Sequence, residues 1–277
     1  MTDKLTIKEK EYNLKDHTLI MGILNVTPDS FSDGGNYIDP QKAVQHALQM
    51  IEEGAHIIDV GGESTRPGFA AVSAEEEKAR VIPVIRAIAA ATDVPISIDS
   101  YKADVAEAAL EAGAAMLNDV YGGKRDPDML KLAAKADVPI CLMHNRNEAL
   151  YQDLLAEIKA DLLESVALAQ EAGVRKENII LDPGIGFGKT PAHNLAVMQR
   201  LDELTALGYP MLLGTSRKSM IGKVLDLPVE ERVEGTAATV AYGITRGCRI
   251  VRVHDILAMS RVARMTDAML AGRFLDG

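Results

Sequence analysis

Tryptophan is absent from the 277 residues, and four phenylalanines and seven tyrosines supply all the aromatic rings. The Ala, Ile, Leu and Val that dominate the apolar fraction suit helices packed on strands better than a β-sandwich core. Cysteine is almost missing too. Cys141 and Cys248 lie far apart and lack metal-ligand spacing, and Cys141 falls in an apolar, strand-like run. It reads as a buried free thiol in a reducing compartment. No stretch offers 18 uninterrupted apolar residues, which argues against a membrane span. The opening "MTDKLTIKEKEYNLKD" lacks the apolar stretch of a signal peptide, so a cytoplasmic protein with no membrane partner is expected. Positive charge is also short. A net charge of −10 with few aromatics makes the chain a poor candidate for tracking nucleic-acid phosphates, which needs Lys/Arg stripes, and any anion must be met by a local basic cluster.

What is present is a repeated alternation. Short β-rich runs occur at 18–26, 56–62, 95–100, 114–120, 139–144, 178–184, 210–216 and 250–255. Longer helical patterns separate them, such as "PQKAVQHALQMIEEGA", "SAEEEKARVIPVIRAIAAAT" and "ADLLESVALAQEAGV". Gly54, Gly113, Gly173, Gly208 and Gly247 fall at or just past helix ends, where a left-handed cap favours glycine. Pro83 interrupts the second helix. Eight strands joined by helices imply parallel crossover units, and the count favours a closed (β/α)8 TIM barrel over an open sheet. No G-x-G-x-x-G opens a helix after the first strand, which weakens a dinucleotide-binding fold. No linker divides the chain, so residues 1–277 are expected to form a single domain.

In such a barrel the active site lies at the carboxyl ends of the strands. Those ends carry Asn25, Asp59, Asp99, Asn118, His144, Asp182, Ser216 with Lys218, and Arg252 with His254. One polar residue there is ordinarily a helix cap or turn former; eight in succession point to one mouth. The loops after the first two strands, 27–39 and 63–73, exceed the usual two to six residues and are rich in glycine and small residues.

The stretches "IMGILNVTPDSFSDGG" and "GAHIIDVGGESTRPG" resemble the two signature segments of the dihydropteroate synthase family. "SIDSYKADV", "LNDVYGG", "LDPGIGFGKT", "GTSRKSMIG" and "RVHD" match later family motifs in the same order. The resemblance runs from about residue 18 to the C-terminus; the first 17 residues add nothing to it. It implies a pterin-binding TIM barrel, dimeric by family habit. It also implies that, with Mg2+, 6-hydroxymethyl-7,8-dihydropterin diphosphate and 4-aminobenzoate become 7,8-dihydropteroate and diphosphate. A pterin-binding methyltransferase domain needs the same pterin rim, but the "SRKS" and "RVH" clusters argue against it. A non-catalytic pterin-binding module would have lost the loop and metal residues, which are present. An unrelated aldolase or isomerase barrel needs a lysine or Glu/His pair inside a strand, and none is seen.

The substrate chemistry fits these residue types. A pterin offers a 2-amino group beside a ring N–H, a donor pair that a carboxylate accepts in bidentate fashion. Asp182 is the expected partner, with Asp99 and Asn118 completing the rim, Lys218 donating to the acceptor side, and Phe187 joining the substrate-binding set by resemblance. Arg252 and His254 point the same way from one strand, toward the diphosphate. Asn25, across barrel closure, offers an amide oxygen to Mg2+. The long loops are expected to close over bound diphosphate, with Thr65 and Arg66 near the phosphates. Asp33 would face the cationic methylene, and Phe31 and Ser219 would enclose the 4-aminobenzoate. The assigned catalytic set is Asp33, Lys218, Arg252 and His254. Arg217 is left undecided.

Overall fold

A computed structural model of the protein describes residues 3–26, 39–63 and 72–275. The chain opens with an antiparallel hairpin, β1 (Lys4–Ile7) and β2 (Lys10–Asn13). Eight parallel strands follow: β3 (Leu19–Asn25), β4 (Ile57–Gly61), β5 (Ile96–Asp99), β6 (Met116–Asp119), β7 (Ile140–Met143), β8 (Ile179–Asp182), β9 (Leu212–Leu213) and β10 (Ile250–Val253). Their order is β8-β7-β6-β5-β4-β3-β10-β9. A parallel bridge from Leu181 to Met211, with the Leu181 N–H donating to the Pro210 carbonyl at 2.9 Å, joins the two ends of this series. The sheet closes into a (β/α)8 barrel.

The helices between strands are α1 (Pro40–Glu52), α2 (Ala74–Ala91), α3 (Ala103–Glu111), α4 (Asp128–Ala136), α5 (Leu154–Glu171), α6 (Pro191–Gln199), α7 (Leu201–Thr205), α8 (Ser219–Leu225), α9 (Val233–Thr245) and α10 (Ile256–Ala271). Asp39, Ser73, Asp153 and Thr190 cap α1, α2, α5 and α6 with side-chain oxygens that accept first-turn N–H groups. The five glycines expected at helix ends all adopt positive φ. Pro83 sits on an exposed face of α2 without ending it.

Period-two alternation splits the strand side chains into two environments. One set, including Ile20, Val60, Ile98, Leu117, Leu142 and Leu181, packs outward with the helices. The other, including Met21, Ile57, Met116, Cys141, Ile180, Leu212 and Ile250, lines the barrel interior and packs against Leu5, Ile7, Tyr12 and Leu14. The hairpin therefore stoppers the amino end of the barrel. Its apolar positions alternate with charges over two strands of four residues each, too short to stand out in sequence. Two positions further along the inward-facing rows, the apolar lining gives way to Asp59, Asp99, Asn118, Asp182 and Arg252. The barrel is greasy at one end and polar at the other.

The seventh barrel strand is shorter than the 210–216 run suggests. Pro210 has no N–H to give the ladder, and after Leu213 the chain turns, with the Lys218 N–H donating to the Thr215 carbonyl and Arg217 at φ 56°. That turn brings Ser216 and Lys218 over the mouth.

Candidate active site

Arg252 projects inward from β10 and joins three strands at the polar end. Its Nε donates to Asp59 Oδ2 at 2.6 Å and its Nη2 to Asp99 Oδ2 at 2.6 Å. Asn118 Nδ2 also donates to Asp59 Oδ2, at 3.2 Å. Register explains the meeting: Asp59 lies opposite Ser97 on β5, and Asp99 opposite Asn118 on β6. Burial pushes the Asp99 carboxyl up to about 7, against the pull of Arg252 and with the help of Asp59. For Arg252, burial opposes the charge but Asp59 and Asp99 outweigh it and hold the guanidinium above its ordinary range. Asp99 Oδ1, Asp59 Oδ1 and Ser97 Oγ are buried without hydrogen-bond partners among the described residues, leaving acceptor capacity at this level of the barrel.

Asp182 ends β8 on the same rim. Its Oδ1 accepts the Gly184 N–H at 2.6 Å, and burial raises its pKa while Lys218 lowers it. Lys218 Nζ donates to the Ile185 carbonyl and stands 4.7 Å from the Phe187 ring centroid. Burial lowers the Lys218 pKa to about 8, and Asp182 resists the shift. A carboxylate, an ammonium and an aromatic face therefore meet where β8 and β9 deliver their ends. The set can accept a donor pair and donate to an acceptor on one planar ring.

His254 leaves the end of β10 toward β9, where its Nδ1 is 2.9 Å from Ser216 Oγ and its N–H donates to the same hydroxyl at 3.1 Å. Arg217, undecided from sequence, is committed elsewhere: Nε and Nη2 form a fork on Asp255. Asn25 is the exposed last residue of β3, opposite Gly61 of β4. Ser219 is exposed at the first turn of α8, next to Lys218. The described strand-end residues of the expected set thus gather at one mouth. Phe31, Asp33, Thr65 and Arg66 lie outside the described residues.

Sequence reasoning named Asp59 and His144 as strand ends but gave them no role, and it missed Lys189. Lys189 Nζ donates to the Gly184 and Phe187 carbonyls at 3.0 and 3.1 Å and is 2.7 Å from His144 Nδ1. The signal was present as a lysine closing the glycine-rich "GIGFGK". Among the described residues no helix is long and apolar enough to cross a membrane.

Comparison with known proteins agrees with the site. Residues 21–254 match the pterin binding enzyme family. The chain is 59% identical to the dihydropteroate synthase of Bacillus subtilis over 97% of this chain and 94% of that one. Among solved structures it is similar to a Clostridium difficile dihydropteroate synthase determined with pteroic acid, at 54% identity and a TM-score of 0.89 over 91% of this chain and 97% of that one. It is likewise similar to the Xanthomonas albilineans enzyme with 4-aminobenzoic acid, at 42% identity and a TM-score of 0.92 over 98% and 99% of the two chains. The chain belongs to the dihydropteroate synthase family of pterin-binding enzymes.

Proposed function

We propose that this chain condenses 6-hydroxymethyl-7,8-dihydropterin diphosphate with 4-aminobenzoate, releasing diphosphate and 7,8-dihydropteroate. The observation that carries the reading is the joining of a buried acceptor rim (Asp99, Asn118, Asp182) to half-buried cations (Lys218, Arg252) at one barrel mouth. The rim takes the donor edge of the pterin, and Lys218 donates to its acceptor side above Phe187. Arg252 and His254 face the diphosphate.

The C–O bond to diphosphate breaks with its electron pair leaving on oxygen, and the electron-rich ring delocalises the positive charge left on the methylene. The neutral arylamine adds through its nitrogen lone pair and then loses a proton, so no strong base is required. Stabilising the leaving group and positioning the ring are the protein's main tasks. Asp33 opposite the methylene, Thr65 and Arg66 near the phosphates, and Phe31 and Ser219 around 4-aminobenzoate remain part of this proposal. Mg2+, when bound, neutralises phosphate charge. The exposed side chain of Asn25 would hold it through its amide oxygen, a hard donor of the kind such a cation takes.

The proposal includes a cytoplasmic homodimer of one barrel domain per chain. It rests on the family resemblance and on Leu257, Met265, Met269 and Leu270, exposed on α10. The test is diphosphate release from the pterin substrate with and without 4-aminobenzoate and Mg2+. Release that needs all components supports the reading; no release under any condition overturns it.

A further inference from the structure

The loop after β8 carries three glycines at positive φ, Gly184 at 67°, Gly186 at 87° and Gly188 at 54°, and such a segment is conformationally free unless something ties it. It must nevertheless be placed closely, because it sets three parts of the pterin rim. The Gly184 N–H fixes Asp182 Oδ1, the Ile185 carbonyl receives Lys218 Nζ, and the Phe187 ring lies beneath that ammonium.

The tie is Lys189. Its ammonium has three donors and spends them on three acceptors: the Gly184 carbonyl, the Phe187 carbonyl and His144 Nδ1. The first two close the loop upon itself; the third fastens it to the end of β7. The acceptor is itself held. His144 is buried, and its Nε2 lies 3.1 Å from Asp161 Oδ2, which fixes the tautomer with Nδ1 unprotonated. Asp161 in turn accepts Arg146 Nε at 2.7 Å. Glycine is required where these segments meet: a Cβ on Gly184 would collide with the His144 carbonyl oxygen, and one on Gly188 with the Arg146 backbone. Burial lowers the Lys189 pKa to about 7, and Asp182 and Asp161 resist the shift.

We infer that Lys189 is a positioning residue for pterin recognition, acting through the loop after β8 and not by touching substrate. The inference rests on the pterin reading above. Removing its ammonium loosens Asp182, Phe187 and Lys218 together while leaving the Arg252 and His254 side of the mouth in place.

The test measures two ligands separately by calorimetry, 6-hydroxymethylpterin and inorganic diphosphate with Mg2+, on the full-length protein. In Lys189→Met, which keeps the length of the stem, pterin affinity is expected to fall by about tenfold or more, as for lost hydrogen bonds to charged groups. Diphosphate affinity should stay within about twofold, and the KM for the pterin substrate should rise more than kcat falls. Lys189→Cys treated with bromoethylamine rebuilds the ammonium with sulfur in place of Cγ. Cys141 and Cys248 are buried, and the treated wild type controls for them. Recovery of pterin affinity upon that treatment, read on one folded preparation, supports the inference. Unchanged pterin affinity in Lys189→Met, equal loss of both ligands, or no recovery on aminoethylation overturns it. A wild type that binds no pterin instead overturns the functional reading, so the two failures are distinguishable.

Discussion

Asp59 and Arg252 lie 193 positions apart in the chain and meet in a 2.6 Å hydrogen bond across the barrel interior. Asp59 is completely buried, and the Arg252 side chain is 21% exposed. Such a pair contributes little over a well-packed apolar one, but breaking it strands a charge. Asp59→Ala is therefore expected to lower stability by about 3–5 kcal/mol, because the Arg252 Nε loses its carboxylate and a void opens beside it. Urea unfolding followed by circular dichroism measures this, and an unchanged midpoint would show that Asp99 alone suffices.

Asp99 provides a pH dependence with a definite sign. Its folded pKa of about 7 lies above the ordinary carboxylate value, so the folded chain holds a proton that the unfolded chain has lost. The stabilisation is fully present below about pH 4 and is lost as pH rises toward 7. Relative to wild type, Asp99→Asn should flatten the fall in thermal midpoint across that window. A donor pair arriving from a pterin favours the carboxylate anion, so pterin binding near neutral pH should release protons. Calorimetry in buffers of different ionisation enthalpy reads that release, and it should shrink in Asp99→Asn.

The hairpin predicts a separation of stability from chemistry. Leu5 and Ile7 are fully buried against Met21, Ile57 and Ile180, on the apolar layer that precedes the polar mouth by two positions along the strands. Leu5→Ala should cost about 2–4 kcal/mol by cavity formation. Turnover at low temperature, where the variant remains folded, should stay within about twofold of wild type, since no site residue shifts. A large loss of kcat would mean that the stopper transmits strain to the mouth.

The sequence revealed the elements whose physics is local and repeated. Eight β-rich runs, the helices between them and five glycine ends appear where period and capping chemistry put them, the 210–216 run only as Leu212–Leu213, because parallel strands buried on both faces read as apolar runs. Asp99, Asn118, Asp182 and Arg252 were legible as polar residues breaking those runs. The hairpin was not, because Leu5, Ile7, Tyr12 and Leu14 alternate with charges over segments too short to stand out. Nor was Lys189, whose partners His144 and Gly184 come together only when β7 and β8 lie side by side. The bond from Asp59 to Arg252 needs barrel closure through the β3–β10 pair, a relation that no local window contains.

Asp182 gives the sharpest test of recognition. One carboxylate oxygen is engaged by the Gly184 N–H, and the group is buried, so both oxygens are held in a fixed direction. In Asp182→Asn the amide oxygen can keep the Gly184 contact, which turns the NH2 group toward the mouth. A pterin donor then meets a donor, and the flipped amide would lose Gly184 instead. Either arrangement leaves a buried polar group unsatisfied, which costs about 2–4 kcal/mol when the lost acceptor was charged. Because the side chain keeps its size, the fold should tolerate the change, and the loss should fall on 6-hydroxymethylpterin and not on diphosphate. Calorimetry with each ligand measures the two separately. Undiminished pterin affinity in Asp182→Asn would mean that the carboxylate serves only the turn at Gly184, and that the donor edge of the ring is read by Asp99 and Asn118.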